Sequence, residues 1–161
     1  MALHLRLANE AWEAYYRTQA TLAREFADAD IWEGLHSTEY AVLYALSFEA
    51  TGLRITELGD DVLLTQPGMS RLIVRLEDRG FVERTEDHAD GRVHRIRLTE
   101  AGLGIQRRVG AHIARRVAKA MTRALDASQL MTLRDLSLAL LVAAPGQAAF
   151  VQQRAIVRKR S

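Results

Sequence analysis

Ile55 to Gly102 reads ITELGDDVLLTQPGMSRLIVRLEDRGFVERTEDHADGRVHRIRLTEAG. In it a short helix, a turn, a second helix, a strand, a charged hairpin and a returning strand follow one another with no spare segment. The second helix is the clearest part. Met69, Leu72, Ile73 and Leu76 fall at i, i+3, i+4 and i+7, one apolar stripe at helical period. Thr65 is the N-cap candidate, and Pro67 suits the first turn, where backbone N–H groups lack partners. Gly80 closes the helix as a C-terminal glycine. The opposite face carries Gln66, Ser70, Arg71 and Arg75. A helix anchored by one face, with amide, hydroxyl and guanidinium groups on the other, is suited to a DNA major groove.

The hairpin that follows has the pattern of a wing. Phe81 to Glu86 reads as a strand. In the next strand His94, Ile96 and Leu98 share one face, and Val93, Arg95 and Arg97 the other, by the period of two. Between the strands lies Thr85 to Arg92, with Asp90-Gly91 as the turn signal. Arg92 sits just past that turn. A long cation at the tip of a two-stranded ribbon suits a narrow minor groove of enhanced negative potential.

The run Ser70-Arg71, Leu76, Arg79-Gly80, Val82, Arg84, Asp90-x-Arg92, Leu98-Thr99-x-x-Gly102 resembles the winged helix-turn-helix core of MarR-type transcriptional regulators. The Asp-x-Arg wing leading into Leu-Thr-x-x-Gly is far more specific than a helix-turn-helix alone. The resemblance is detailed over about residues 37–102 and rests elsewhere on helix order and length. It implies a mainly α fold with a small β-wing, a winged helix-turn-helix core plus N- and C-terminal dimerisation helices. It also implies a homodimer whose two recognition helices read a pseudo-palindromic operator in double-stranded DNA, acting as a repressor released by a small ligand. On this reading residues 1–146 form a single domain. The core spans about 37–102, the dimerisation helices about 3–29 and 99–145, and residues 147–161 form a basic tail.

Composition is compatible with this without demanding it. The 161 residues suffice for one domain with a real core, and the formal charge is only +2. The clustering of arginine therefore carries more weight than the total. Glu77, Asp78, Glu83, Glu86 and Asp87 lie among the arginines and confine positive potential to selected surfaces. With no cysteine, disulfides, thiolate zinc sites and thiol-based redox sensing are excluded. No apolar run approaches membrane-spanning length, no signal-peptide pattern is present, and the expected location is the cytoplasm.

Outside the core, Leu3 to about Ala29 reads as one helix, with Leu7, Ala8, Ala11, Trp12, Tyr15, Leu22, Ala23 and Phe26 as apolar positions. That stripe exceeds what one winged domain can cover. Ile31 to His36 is a connector broken at Gly34. Ser37 or Thr38 is expected to cap the next helix, which is apolar on most sides, ends at Thr51-Gly52 and should be the buried centre of the subunit. Thr56 is expected to cap the short helix through Val62, where Gly59 should cost about 1 kcal/mol unless close packing needs it. Thr99 caps a long helix to about Leu125, with Leu103, Val109, Ile113, Val117, Met121 and Leu125 as its seam. Asp126 or Ser128 starts a last helix carrying Leu130, Leu133, Leu136, Leu140 and Leu141, stopped by Pro145-Gly146.

Candidate DNA-binding residues are Arg54, Thr65, Gln66, Pro67, Gly68, Ser70, Arg71, Arg75, Asp90 and Arg92. Gln66, Ser70 and Arg71 are assigned to base edges or nearby phosphates, Arg54 and Arg75 to phosphate, and Pro67 to a thymine methyl. Gly68 has no side chain to read with. The resemblance puts Arg92 in the minor groove and has Asp90 set the wing. The bland alternatives are a solvated helix face and a surface ion pair worth little by itself. Trp12, Tyr15, Tyr16, His36, Tyr40 and Tyr44 are candidates for a pocket suited to a small aromatic or phenolic ligand, with Trp12, Tyr16, His36 and Tyr40 the main contacts. For any one of them, core or interface packing is the simpler reading. The five histidines have no metal-ligand spacing, no cofactor is implied, and no nucleophile elbow, phosphate-cradling glycine loop or paired acid-base motif is present. An enzyme is therefore not expected. The alternative to a ligand-responsive DNA-binding regulator is a winged-helix protein-interaction module without ligand response, and the arginines on the groove-facing surface argue against it.

Overall fold

The computed structural model describes residues 2–27, 30–62, 66–86 and 94–144. Its elements are α1 (Ala2–Ala27), α2 (Ser37–Leu46), α3 (Ile55–Val62), α4 (Gln66–Asp78), β1 (Val82–Glu86), β2 (His94–Leu98), α5 (Glu100–Met121) and α6 (Ala127–Ala143). The fold is mainly α with one small antiparallel sheet. The apolar stripe of α4, Met69, Leu72, Ile73 and Leu76, is wholly buried. It packs with Val42, Leu43 and Leu46 of α2, Leu58 of α3, Val82 and Ile96 of the sheet, and Ile105 and Val109 of α5. The sequence period thus maps directly onto the core, and α2 is its centre as expected.

In the sheet Val82 faces Leu98, Arg84 faces Ile96 and Glu86 faces His94. Leu53 adds an antiparallel bridge to Ile96, with N–H···O bonds of 3.0 and 2.8 Å. This extra edge was not legible beforehand, because a single bridging residue has no period.

The Arg79-Gly80 and Leu98-Thr99-x-x-Gly102 signatures meet at one corner. Gly80 has φ +70°, and its N–H donates to Glu77 O while the Phe81 N–H donates to Leu76 O, the paired bonds of a Schellman cap. The Thr99 hydroxyl donates to Gly80 O at 2.6 Å and accepts from the Gly102 N–H at 3.0 Å, capping α5. A Cβ at Gly102 would collide with the Phe81 carbonyl. The glycine is needed for close approach, and the corner sets the angle between α4, the wing and α5.

Several boundaries differ from the expectations. The N-cap of α2 is His36, not Ser37 or Thr38. The Glu39 carboxylate, at the third helical position, accepts the His36 N–H at 2.9 Å, the acid's half of a capping box. α3 begins at Ile55, which puts Thr56 inside it, and Glu57 accepts the Arg54 N–H at 2.7 Å in the same way. α2 stops at Leu46 rather than running to Thr51-Gly52. The Ser47 hydroxyl donates to Tyr44 O at 2.7 Å, and Phe48 and Glu49 turn back onto Ala45 O and Leu46 O. α5 ends at Met121, short of Leu125. Its buried residues include Ile105 and Gln106, which the proposed seam omitted, while Val117 is exposed. Asp126 caps α6 reciprocally with Gln129, at 2.9 and 3.0 Å.

The two end helices carry large exposed apolar faces. On α1 these are Leu3, Leu5, Leu7, Trp12, Tyr15 and Tyr16, and on α6 they include Met131, Leu136, Leu140 and Leu141. No residue of α6 is buried within the subunit.

Candidate nucleic-acid interface

The outward face of α4 is the centre of the site. With its stripe locked into the core, the helix leaves Pro67, Ser70, Arg71, Val74 and Arg75 exposed. Ser70, Arg71, Val74 and Arg75 line one shallow groove. Among the described residues Arg71 has no hydrogen-bond or ion-pair partner, so its guanidinium is available for bidentate contact. Val74 was missed by sequence reasoning. It is 47% exposed between two arginines, an apolar group of the kind that meets a thymine methyl. Its signal was present, since position 74 lies off the i, i+3, i+4, i+7 stripe.

Arg75 is less free than its position on the helix suggested. Its Nε lies 3.5 Å from Oε1 of the buried Glu39, and Arg79 Nη1 donates to Oε2 of the same carboxylate at 3.1 Å. Arg75 and Arg79, one turn apart on α4 and just past its end, thus share one carboxylate behind the helix. Arg84 makes a bidentate pair with Glu77, both contacts 3.0 Å, Arg97 pairs with Glu83 at 3.3 Å, and Arg95 donates to Gly52 O at 2.8 Å. The first and last hold the sheet to its surroundings, and the Arg97–Glu83 pair ties its two strands together. Arg54 is half-buried and engaged within the subunit. Gln66 opens α4, and Gly68 lies in its first turn. Thr65, Asp90 and Arg92 lie outside the described residues.

The aromatic candidates fall into two sets. Trp12 packs with Tyr15 and Tyr16 on α1, at centroid distances of 6.3 and 6.2 Å. Trp32, Tyr40, Tyr44 and Phe48 form a second ladder along α2, with successive centroids 6.0, 5.9 and 4.9 Å apart. Tyr16 lines a groove on α1 with Glu13, Arg17, Ala20, Thr21 and Arg24, which contains neither His36 nor Tyr40. Tyr40 reaches α5, where its hydroxyl meets Gln106 and lies over Gly110. Burial pushes the Tyr40 phenol above its ordinary value near 10, Tyr44 adds to the rise, and the Gln106 hydrogen bond opposes it. Among the described residues no cluster of His, Asp and Glu is arranged to hold a metal ion, and no helix is long and apolar enough to cross a membrane.

A recognition helix anchored by its apolar stripe, a two-stranded ribbon after it and a capped corner joining both to a long helix define a winged helix-turn-helix fold, a DNA-binding architecture. Residues 33–93 match the MarR family model. The HTH-type transcriptional regulator SarZ of Staphylococcus epidermidis is 33% identical over 92 residues, 57% of this chain and 62% of SarZ. The chain thus spans about three fifths of the length of the curated relatives it matches. Among solved structures, the PcaV transcriptional regulator from Streptomyces coelicolor, in complex with its natural ligand, is 31% identical with a TM-score of 0.61, over 85% of this chain and 90% of that one. Sco3205, a MarR family transcriptional regulator from Streptomyces coelicolor in complex with DNA, shares the fold at TM-score 0.75 and 22% identity, over 87% of this chain and 89% of that one. The chain belongs to the MarR family of transcriptional regulators.

Proposed function

We propose that the chain acts as a homodimer whose two α4 helices enter major grooves of a pseudo-palindromic operator, as a repressor released by a small aromatic or phenolic ligand. The observation that carries this is the division of α4 into a buried stripe and an exposed face of Ser70, Arg71, Val74 and Arg75. Gln66, Ser70 and Arg71 read base edges, Pro67 and Val74 meet thymine methyls, and Gly68 lets the backbone come close. Thr65 and Arg54 contribute to DNA binding. Asp90 shapes the wing, and Arg92 enters the minor groove. The winged core lies within one domain of residues 1–146, α1, α5 and α6 form the dimer, and the protein works in the cytoplasm where its operator is.

Two findings support the finer points. The exposed apolar faces of α1 and α6 exceed what a monomer leaves to water. PcaV, at 31% identity, was solved with its natural ligand, and we assign the ligand pocket of this chain to Trp12 and Tyr16 of α1 together with His36 and Tyr40. Fluorescence anisotropy with the protein's own promoter duplex, over a salt series, tests the central claim. Binding should weaken steeply with salt through counterion release. Salt-insensitive or undetectable binding would sink it.

A further inference from the structure

Glu39 is the one buried charged side chain among the described residues, at 2% exposure. It stands in the first turn of α2, directly behind the recognition helix. Oε2 accepts from the His36 N–H and from Arg79 Nη1, and Oε1 faces Arg75 Nε. The two arginines do not share it equally. Arg79 also donates to Gly34 O at 3.2 Å, and its guanidinium lies 4.9 Å from the centre of the Phe81 ring, so it is held on three sides. Arg75 has only the 3.5 Å contact, longer than a good charge-assisted hydrogen bond, and its side chain is 53% exposed. It also lines the groove with Ser70, Arg71 and Val74.

We propose that Glu39 sets the selectivity of the DNA interface by restraining Arg75. The proposal rests on α4 being the DNA-reading helix. A guanidinium on that face that reaches the backbone rather than a base edge would, if unrestrained, bind any phosphate and add equally to cognate and random DNA. The carboxylate behind it cancels part of that charge, and being fixed by two other donors it cannot swing away into water. Arg75 is released to a phosphate only where a cognate duplex seats α4 closely enough to compete. The pair is loose and half-exposed, so release is easy once a phosphate is in place. Glu39 is thus a positioning residue acting through Arg75, and its chemistry discriminates the operator from bulk DNA without touching either.

Glu39→Gln tests this. The amide keeps one oxygen for the His36 N–H and Arg79, removes the charge, and turns an NH2 donor instead of an acceptor toward Arg75. Affinity for a random duplex should rise roughly three- to tenfold, as expected for removing one negative charge at this range. The salt dependence should steepen by about one released ion. Cognate affinity should rise less, so the specificity ratio falls. In Glu39→Gln/Arg75→Ala the gain should vanish. An unchanged random-DNA affinity and slope in Glu39→Gln, or a gain that survives in the double variant, overturns the proposal. Arg75→Ala alone gives an answer that does not depend on the Glu39 variant folding. With Glu39 in place it should weaken random-DNA binding by no more than about twofold. A weakening of about tenfold there, with the salt slope down by about one, means that Arg75 already holds a phosphate on random DNA, and this also overturns the proposal. Wild-type protein that shows no salt-dependent DNA binding instead refutes the reading of α4, which the Glu39 comparison leaves separate.

Discussion

Replacing Leu136 and Leu140 by alanine should separate the proposed dimer while leaving the subunit folded. The two lie one turn apart on α6 and are 61% and 69% exposed within the subunit. Each Leu→Ala change removes about three carbon groups at ~0.8 kcal/mol apiece if all were transferred from water into an interface. Scaled by the fraction still exposed, this is about 1.5 kcal/mol per side chain. Both subunits contribute both residues, so the dimer loses roughly 6 kcal/mol, close to a 10⁴-fold rise in its dissociation constant. The subunit core is untouched, since α6 buries nothing within it, and alanine is the better helix former. Sedimentation equilibrium across a dilution series gives the constant directly, and circular dichroism checks that helix content is kept. A dissociation constant within tenfold of wild type, with the helices intact, would refute the assignment of this face to the dimer.

Two glycines at one corner should respond differently to alanine. Gly80→Ala meets open space and should cost only the left-handed backbone conformation, ~1–2 kcal/mol. Gly102→Ala drives a Cβ into the Phe81 carbonyl that accepts the Thr99 N–H, and should cost about 3 kcal/mol or more; equal urea midpoints for the two would contradict the close approach. Arg71→Ala should lose about 1–3 kcal/mol on the cognate site and much less on random DNA, whereas equal losses would make Arg71 a phosphate contact only. Arg92→Ala should weaken cognate and A·T-rich random DNA alike and lower the salt slope by about one, and unchanged affinities would remove the wing from the interface. Tyr40 makes stability depend on alkaline pH. Its folded pKa is raised, so the native state keeps the proton where the unfolded phenol ionises, and the associated stability is present below about pH 10 and lost as pH rises through the folded value. Chemical denaturation from pH 8 upward should show this fall in wild type, and a Tyr40→Phe variant that falls as steeply would exclude Tyr40 as its source.

The order of elements, the stripe of α4 and the separate caps at Gly80 and Thr99 were legible from residue order alone, whereas their meeting at one corner was not. Helical period, a positive-φ glycine and a threonine cap are local constraints, set by backbone geometry within a few residues. The same holds for the exposed position of Arg71, which follows from the stripe opposite it. What tertiary structure alone decided is which charges are available. Nothing in the spacing of Glu39, Arg75 and Arg79 announces that they converge, because they come together only when α2 packs behind α4. Packing likewise withdrew Arg84 and Arg95 from the free basic surface into contacts with Glu77 and Gly52, whereas the Glu39 cap and the Arg97–Glu83 pair are set locally, within three residues and by the hairpin register. An arginine's charge is local and can be counted from the sequence, but its partner is non-local, and the field a DNA duplex meets depends on which carboxylates the fold has brought within a few ångströms.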